Sequence, residues 1–116
     1  MMTLLNDHAV LCVTSIKDKR ERKRVVLELC NPPYNQIPYK ILEIDRNEVE
    51  GMCANMFNLV DRNGKNTIIM SDRARRTYDE DKFKELCQHY KVVVANIDMI
   101  EHVGGGSTRC MLAEKF

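Results

Sequence analysis

The residues of this sequence with the widest range of possible chemistry are five cysteines and three histidines. Their spacing is irregular. The number of cysteines is odd, no two form a CxxC pair, and no histidine stands at a zinc-finger distance from a cysteine. This spacing predicts no metal site, and nothing in the sequence implies an organic cofactor. We expect reduced cysteines that are mostly buried as small apolar side chains, which is typical of a cytoplasmic protein.

One segment places a cysteine directly after an unusual loop. Gly104, Gly105 and Gly106 are followed by Ser-Thr-Arg and then by Cys110. A cysteine thiolate is a strong nucleophile, and glycines let backbone groups approach a bound molecule closely. Taken alone, three glycines are more typical of a helix end followed by a linker, and a single cysteine is more often part of a core.

The elements that would position this segment follow one order twice: strand, turn, strand, helix, strand, short helix. Apolar and β-branched runs predict the strands, and apolar faces at helical spacing predict the helices. The predicted strands cover residues 1–5, 8–14, 40–44, 56–60, 67–71 and 91–97, and the predicted helices cover 19–30, 46–52 and 78–90. Asp45, Asp79 and Asp98 are candidate N-caps, and Asn-Gly at 63–64 indicates a hairpin turn.

The sequence repeats along with the elements. Similar four-residue segments begin at positions 2, 56 and 111, and residues 42–59 align with residues 95–114 so that Ile-Asp matches Ile-Asp. This periodicity predicts one α/β domain over 1–116, built from ββαβ-type repeats at roughly 2–55 and 56–110. A closing strand over 110–116 would be the first strand of a further unit.

Composition narrows the function classes. Apolar residues make up 44% and charged residues 30% of the chain, and the net charge is only +1, which argues against a nucleic-acid-binding protein. The basic segment KDKRERKR at 17–24 is predicted to be the solvated start of an amphipathic helix. A small nucleic-acid binder that uses this segment is the weaker alternative, and no membrane partner is predicted.

The string GGGSTRCMLAE at 104–114, which follows a strand and a short helix, resembles the guanidine-modifying superfamily. Members of that superfamily include arginine deiminases, dimethylarginine hydrolases and amidinotransferases. Within it, the chain is most similar to the bacterial citrulline-utilisation hydrolase-like group, which MCANMFNL at 52–59 and the opening Met-Met also resemble. The superfamily fold is a five-fold pseudo-symmetric α/β propeller of ββαβ-type units, the pentein fold. The resemblance implies that this chain is a C-terminal part of such a propeller.

The resemblance also implies the chemistry. Cys110 would be the nucleophile of a hydrolase or amidinotransferase that acts on guanidino or ureido groups, as in an arginine derivative or citrulline. Its thiolate would attack the central carbon and form a covalent intermediate that water then hydrolyses. Asn55, one repeat earlier, is the candidate polar group in the same cavity, although it is equally open to a role in a turn. The remaining candidate substrate-binding residues are Gly104, Gly105, Gly106 and Arg109.

Two candidates carry further expectations. Arg109 could favour the thiolate or bind a carboxylate, but in an extended segment its side chain would point away from that of Cys110. Cys53 has no counterpart in the resemblance, and we expect it to be a core residue.

The chain departs from the superfamily pattern in one important respect. Members use a histidine as general acid and base and use acidic residues to bind the guanidinium group. In the similar group, the histidine lies directly before the Met-Met that here occupies positions 1–2. His8, His89 and His102 are not expected to replace it. We therefore expect the chain to be inactive alone.

Three histories would produce such a chain: a truncated gene product, one half of a split enzyme, or a remnant that no longer catalyses. A different class of function is also open. The chain could be an interaction module that associates with itself or with a partner chain through exposed strand edges.

Overall fold

The structure is a computed structural model, and it describes residues 1–33, 36–113 and 115. Over these residues the chain forms six strands: β1 (Met2–Leu4), β2 (His8–Leu11), β3 (Lys40–Glu43), β4 (Phe57–Val60), β5 (Asn66–Ser71) and β6 (Lys91–Ala95). It also forms six α-helices there: α1 (Lys19–Cys30), α2 (Arg46–Glu50), α3 (Asp72–Thr77), α4 (Glu80–His89), α5 (Asp98–Gly104) and α6 (Thr108–Met111).

The strands form two three-stranded sheets with the same pairing pattern, in the orders β1-β2-β3 and β4-β5-β6. In each sheet the first two strands are antiparallel and joined by a short turn, and the third strand returns parallel to the second after a helical crossover. In the register of the second sheet, Ile68 lies opposite both Asn58 and Val92. The ββαβ order expected from the sequence is therefore present twice.

One hydrophobic core connects the two sheets. All four residues of β2 are buried, because this strand lies in the middle of its sheet. Ile68 and Met70 of β5 occupy the equivalent place in the second sheet and are fully buried. Leu86 of α4 packs into the same cluster. Burial of this apolar surface holds the two sheets together.

Several helix boundaries follow the sequence signals. The helix predicted at 19–30 is α1, and Asp18 caps it by accepting hydrogen bonds from two backbone N–H groups. Asp45 and Glu48 form a capping box at the start of α2, and Asp79 caps α4 as expected. The basic segment 17–24 forms the first turns of α1, where Arg24 pairs with Glu21.

The predictions for α3 and α5 were incomplete. The sequence predicted no helix at 72–77, yet Ser71 caps α3 by accepting a hydrogen bond from the N–H of Ala74. Tyr78, predicted to begin a long helix, lies between α3 and α4. Asp98 is not an N-cap: it is the first residue of α5, and its carboxylate lies 3.4 Å from Arg76. Ile97 holds the N-cap position instead, and no side chain among the described residues caps this helix.

The strand predicted at 110–116 was wrong at its start. Cys110 and Met111 belong to the short helix α6, and residues 112, 113 and 115 have no strand structure. A strand needs a neighbouring ladder to satisfy its backbone groups, and the described part of the chain offers none here. Positions 114 and 116 of this prediction lie outside the described residues. Among the helices that are described, none combines the length and apolar character needed to cross a bilayer.

Candidate active site

Cys110 lies in the single turn of α6 and is exposed. The two residues that lead into this turn are buried. The Ser107 hydroxyl donates a hydrogen bond to Glu101 of α5, and Thr108 Oγ1 lies 2.8 Å from the carbonyl oxygen of Asn55 and 3.1 Å from that of Ile69. These contacts fix the position of the turn that carries the exposed thiol.

Asn55 contacts this turn through its side chain as well as its backbone. Its Nδ2 lies 3.2 Å from Cys110 Sγ, and its Oδ1 accepts a hydrogen bond from the backbone N–H of Arg109 at 3.1 Å. Because a backbone N–H can only donate, Oδ1 must face it, and this leaves the NH2 group to donate to the sulfur. The structure therefore brings together the two residues that the repeat alignment placed in one cavity.

The loop that carries Asn55 is held by three side-chain hydroxyl groups. The carbonyl oxygens of three consecutive residues, 53, 54 and 55, accept hydrogen bonds from Tyr78, Thr3 and Thr108, respectively. Among the residues that the structure describes, Met52 in the same loop is the one non-glycine with a positive φ, at +68°. Backbone strain of this kind persists only where the surrounding contacts enforce it. The loop is therefore a rigid support for the Asn55 amide.

The hydrogen bond from Asn55 is the main reason that the pKa of the Cys110 thiol lies below its ordinary value. A backbone hydrogen bond involving Ser107 also lowers this pKa, and the positive charge of Arg109 makes a smaller contribution. Cys53 behaves in the opposite way, because burial raises its pKa to about 12. Since the thiolate is the nucleophilic form, Cys110 is activated and Cys53, a core residue as expected, is not.

The three glycines have different environments. Gly105 ends α5 in the left-handed conformation at φ +69°, which glycine adopts without strain, so the helix-end interpretation of this stretch is confirmed. Gly104 has open space where a Cβ would lie. A Cβ on Gly106 would lie 3.0 Å from Cys110 Cβ and 3.3 Å from Cys110 Sγ. Only Gly106 is in contact with the thiol.

We expect Gly106→Ala to displace the Cys110 side chain by a few tenths of an ångström and to slow alkylation of this thiol by about tenfold. Gly104→Ala is the matched control, since nothing obstructs its methyl group. Rates measured with a small alkylating agent would check this. Equal rates in the two variants would show that Gly106 does not define the position of the thiol.

A cleft of about 640 Å³ lies beside α6, between the β1–β2 hairpin and β4. Its walls are formed by Leu4, Leu5, Asn6, Tyr39, Phe57, Asn58, Arg109 and Leu112. Arg109 therefore faces the cleft rather than Cys110, which is not part of the wall. The sequence predicted that the Arg109 and Cys110 side chains would point apart because they alternate along a strand. They do point apart, but the segment is helical, so strand alternation is not the cause. The guanidinium of Arg109 offers the cleft a positive charge.

Residues 1–116 match the family described as N,N dimethylarginine dimethylhydrolase, eukaryotic. The chain belongs to this dimethylarginine dimethylhydrolase family. It is one of the guanidine-modifying families, so that part of the resemblance is confirmed. Searches of curated proteins and of solved structures gave no match. Family membership indicates a hydrolase that acts on guanidino groups.

The described part of the chain gives the Cys110 thiol few of the proton-transfer partners that hydrolysis of a guanidino group needs. None of its three histidines forms a hydrogen bond with Cys110, and no acidic residue is among the described residues of the cleft wall. His8 and His89 lie together in a separate cluster with Glu85. His102 lines a different cavity, beside Asp98 and Arg76.

Sequence reasoning missed the residues that support this candidate site. Thr108 could have been found, since a hydroxyl two positions before a candidate nucleophile is suited to anchor the turn. Thr3 and Tyr78 gave no signal, because each reaches a carbonyl that is distant in sequence.

We expect Thr108→Val to destabilise the protein by about 1 kcal/mol, because the hydroxyl that two partly buried carbonyl groups share is lost at nearly constant volume. Thr108→Ser keeps the hydroxyl and should recover most of this loss. Chemical denaturation would measure both values. Equal destabilisation by valine and serine would indicate that the methyl group, rather than the hydroxyl, holds α6 in place.

Proposed function

We propose that Cys110 is the nucleophile in hydrolysis of the guanidino group of a methylated arginine. The hydrogen bond from Asn55 Nδ2 to Cys110 Sγ carries this proposal, because it joins an activated, exposed thiol to a polar group from the other repeat. Family membership supports the guanidino substrate class. Citrulline, which carries a ureido group, is the alternative substrate.

The proposed reaction has two balanced stages. The Cys110 thiolate attacks the carbon of the guanidinium group and gives a neutral tetrahedral adduct. The dimethylamino nitrogen of this adduct takes up a proton from an acid and leaves as neutral dimethylamine, so that a cationic alkylthiouronium remains on the sulfur. Water then adds to the same carbon, the carbon–sulfur bond breaks, and two protons are released. One replaces the proton taken from the acid and the other protonates the dimethylamine, so the products are citrulline and dimethylammonium, and the thiolate is restored.

Asn55 and Arg109 have separate roles in this proposal. The Asn55 amide stabilises the thiolate before attack by donating a hydrogen bond to it. The same hydrogen bond stabilises the negative charge that returns to the sulfur when the carbon–sulfur bond breaks. Arg109 binds the carboxylate end of the amino-acid substrate in the cleft, where a planar guanidinium can make two parallel hydrogen bonds. Gly106 keeps the space beside the sulfur free of a side chain.

The chain alone is proposed to be inactive or nearly so. Expulsion of an amine and activation of water both need a proton carrier, and a positioned acid and base contributes roughly 10²–10⁴-fold to such a rate. The described residues place no histidine at Cys110, which supports a role as one part of a split or larger site. The two ββαβ sheets are then two units of the superfamily propeller. Five free cysteines fit a cytoplasmic location.

The test is an assay of dimethylarginine hydrolysis in which the release of dimethylamine is measured. The assay is run with and without added imidazole, which serves as a diffusible acid and base. We expect the protein alone to match its Cys110→Ala variant and imidazole to produce turnover only when Cys110 is present. Turnover without imidazole that is lost in Cys110→Ala would contradict the incompleteness of the site. Turnover that persists in Cys110→Ala would contradict the assignment of the nucleophile.

A further inference from the structure

A cluster of potential metal ligands lies away from Cys110, where β2 meets α4. His8 begins β2, and Glu85 and His89 lie one helical turn apart on α4. The ligand atoms of these three residues all lie within 4.8 Å of one another. His8 Nε2 is 3.4 Å from Glu85 Oε1, and the rings of His8 and His89 have centroids 4.8 Å apart.

The buried imidazole of the cluster lacks a well-formed hydrogen bond at one ring nitrogen. His8 is only 1% exposed, and among the described residues its Nε2 has no hydrogen-bond partner of good geometry, although Glu85 Oε1 lies 3.4 Å away. Glu85 Oε1 itself is paired with Lys40 Nζ. Buried polar atoms in folded proteins are nearly always paired, so a buried nitrogen that faces a carboxylate and a second imidazole without a good hydrogen bond suits an additional ligand. The burial of His8 and the convergence of the cluster are independent observations.

We propose that His8, Glu85 and His89 bind a divalent transition-metal ion, preferably zinc, with water as the fourth ligand. Bonds of roughly 2.0–2.1 Å from zinc to nitrogen and oxygen, at a tetrahedral angle, place two ligand atoms about 3.3 Å apart. The 3.4 Å separation between His8 and Glu85 fits this value. His89 is exposed, so its ring is free to turn toward the ion. Two imidazoles and a carboxylate are ordinary zinc ligands.

The surroundings of His8 orient its ring for this role. Its Nδ1 lies 3.1 Å from the Tyr90 hydroxyl, which also accepts a hydrogen bond from the backbone N–H of Asp7. A metal at Nε2 requires the proton of the neutral ring to sit on Nδ1, where it is donated to Tyr90. In metal-binding histidines, a hydrogen bond from the ring nitrogen that does not bind the metal fixes the tautomer in this way.

One contact opposes metal binding. Lys40 Nζ lies 2.6 Å from Glu85 Oε1, and its positive charge competes with the ion for that carboxylate. Because Lys40 is mostly exposed, its side chain can leave for solvent when the ion binds. A bound ion would join α4 to β2 and so connect the two ββαβ units. It would stabilise the folded protein by mass action.

The test uses zinc alone as the probe, in a Cys87→Ser, Cys110→Ser background that removes the two exposed thiols. Glu85→Gln and His89→Ala are the test variants, and both positions are at least partly exposed, so folding should survive. His102→Ala is the matched control. We expect one zinc per chain by calorimetry, a zinc-dependent rise in the thermal midpoint, and affinity at least roughly a hundredfold weaker in both test variants. Unchanged affinity in the test variants would overturn the site.

Two further measurements separate this site from other binding. Cobalt bound to the original protein should give a tetrahedral spectrum without a thiolate charge-transfer band, and a strong band of that kind would place the ion on a cysteine instead. Lys40→Met should tighten zinc binding several-fold by removing the competing charge. Weaker binding in Lys40→Met would contradict the arrangement.

Discussion

Replacing Cys110 with serine is expected to remove most of the reaction of the protein with a haloacetamidine, an alkylating agent whose cationic amidine resembles a guanidinium group. The reason is that serine has no thiolate and that Cys110 is the exposed thiol whose pKa is lowered. We expect the rate to fall by roughly tenfold, to the level of labelling at the remaining exposed thiol. Peptide mass spectrometry after timed labelling measures it.

Cys87→Ser is the matched control for this experiment, because Cys87 is also exposed but has no described contact with Asn55. It should leave the rate unchanged. The corresponding neutral haloacetamide should discriminate less between the two thiols, since it carries no charge that resembles the substrate. If Cys87→Ser instead removed most of the labelling, the assignment of Cys110 as the reactive thiol would be wrong.

The second large effect concerns Asn55. We expect Asn55→Ala to raise the pKa of Cys110, because the hydrogen bond that most favours its thiolate is lost. Below both pKa values the variant holds less thiolate and should react roughly three- to tenfold more slowly at neutral pH. At high pH both proteins are fully ionised, and the variant should react slightly faster, because a more basic thiolate is the stronger nucleophile.

The crossing of the two pH–rate profiles is the decisive feature of that comparison. Loss of structure around α6 would change the rate in the same direction at every pH. It would not make the variant slower than the original protein at neutral pH and faster at high pH. Asn63→Ala, in the exposed hairpin between β4 and β5, is the control and should follow the original profile. A variant profile that keeps its midpoint would show that Asn55 does not stabilise the thiolate.

The sequence predicted those parts of the fold that depend on local signals. The apolar spacing predicted α1, although not its cap Asp18, and Asp79 was predicted as the N-cap that it is at the start of α4. The 55-residue periodicity predicted the two sheets. The resemblance to the guanidine-modifying superfamily implied that Asn55, one repeat before Cys110, lies in the same cavity, and a turn role for Asn55 remained equally open. The structure puts the Asn55 amide against the Cys110 sulfur.

The parts that could not be predicted depend on contacts between distant residues. The segment at 110–116 looks like a strand by composition, but α6 forms because Thr108 is fixed to carbonyl groups of two other segments. The three hydroxyls that hold the Asn55 loop come from three distant parts of the chain: Thr3 in β1, Tyr78 between α3 and α4, and Thr108 in α6. The cluster of His8 with Glu85 has no sequence pattern, since one ligand begins a strand and the other lies in a helix far along the chain.

Substrate protection of Cys110 tests the central claim most directly. The protein would be labelled with a haloacetamidine at increasing concentrations of dimethylarginine, and the modification of Cys110 and Cys87 would be measured in the same samples. We predict saturable protection of Cys110 alone, because the guanidino group must occupy the space above its sulfur. Equal labelling of Cys110 with and without dimethylarginine would contradict the claim that this thiol faces a guanidino-binding site.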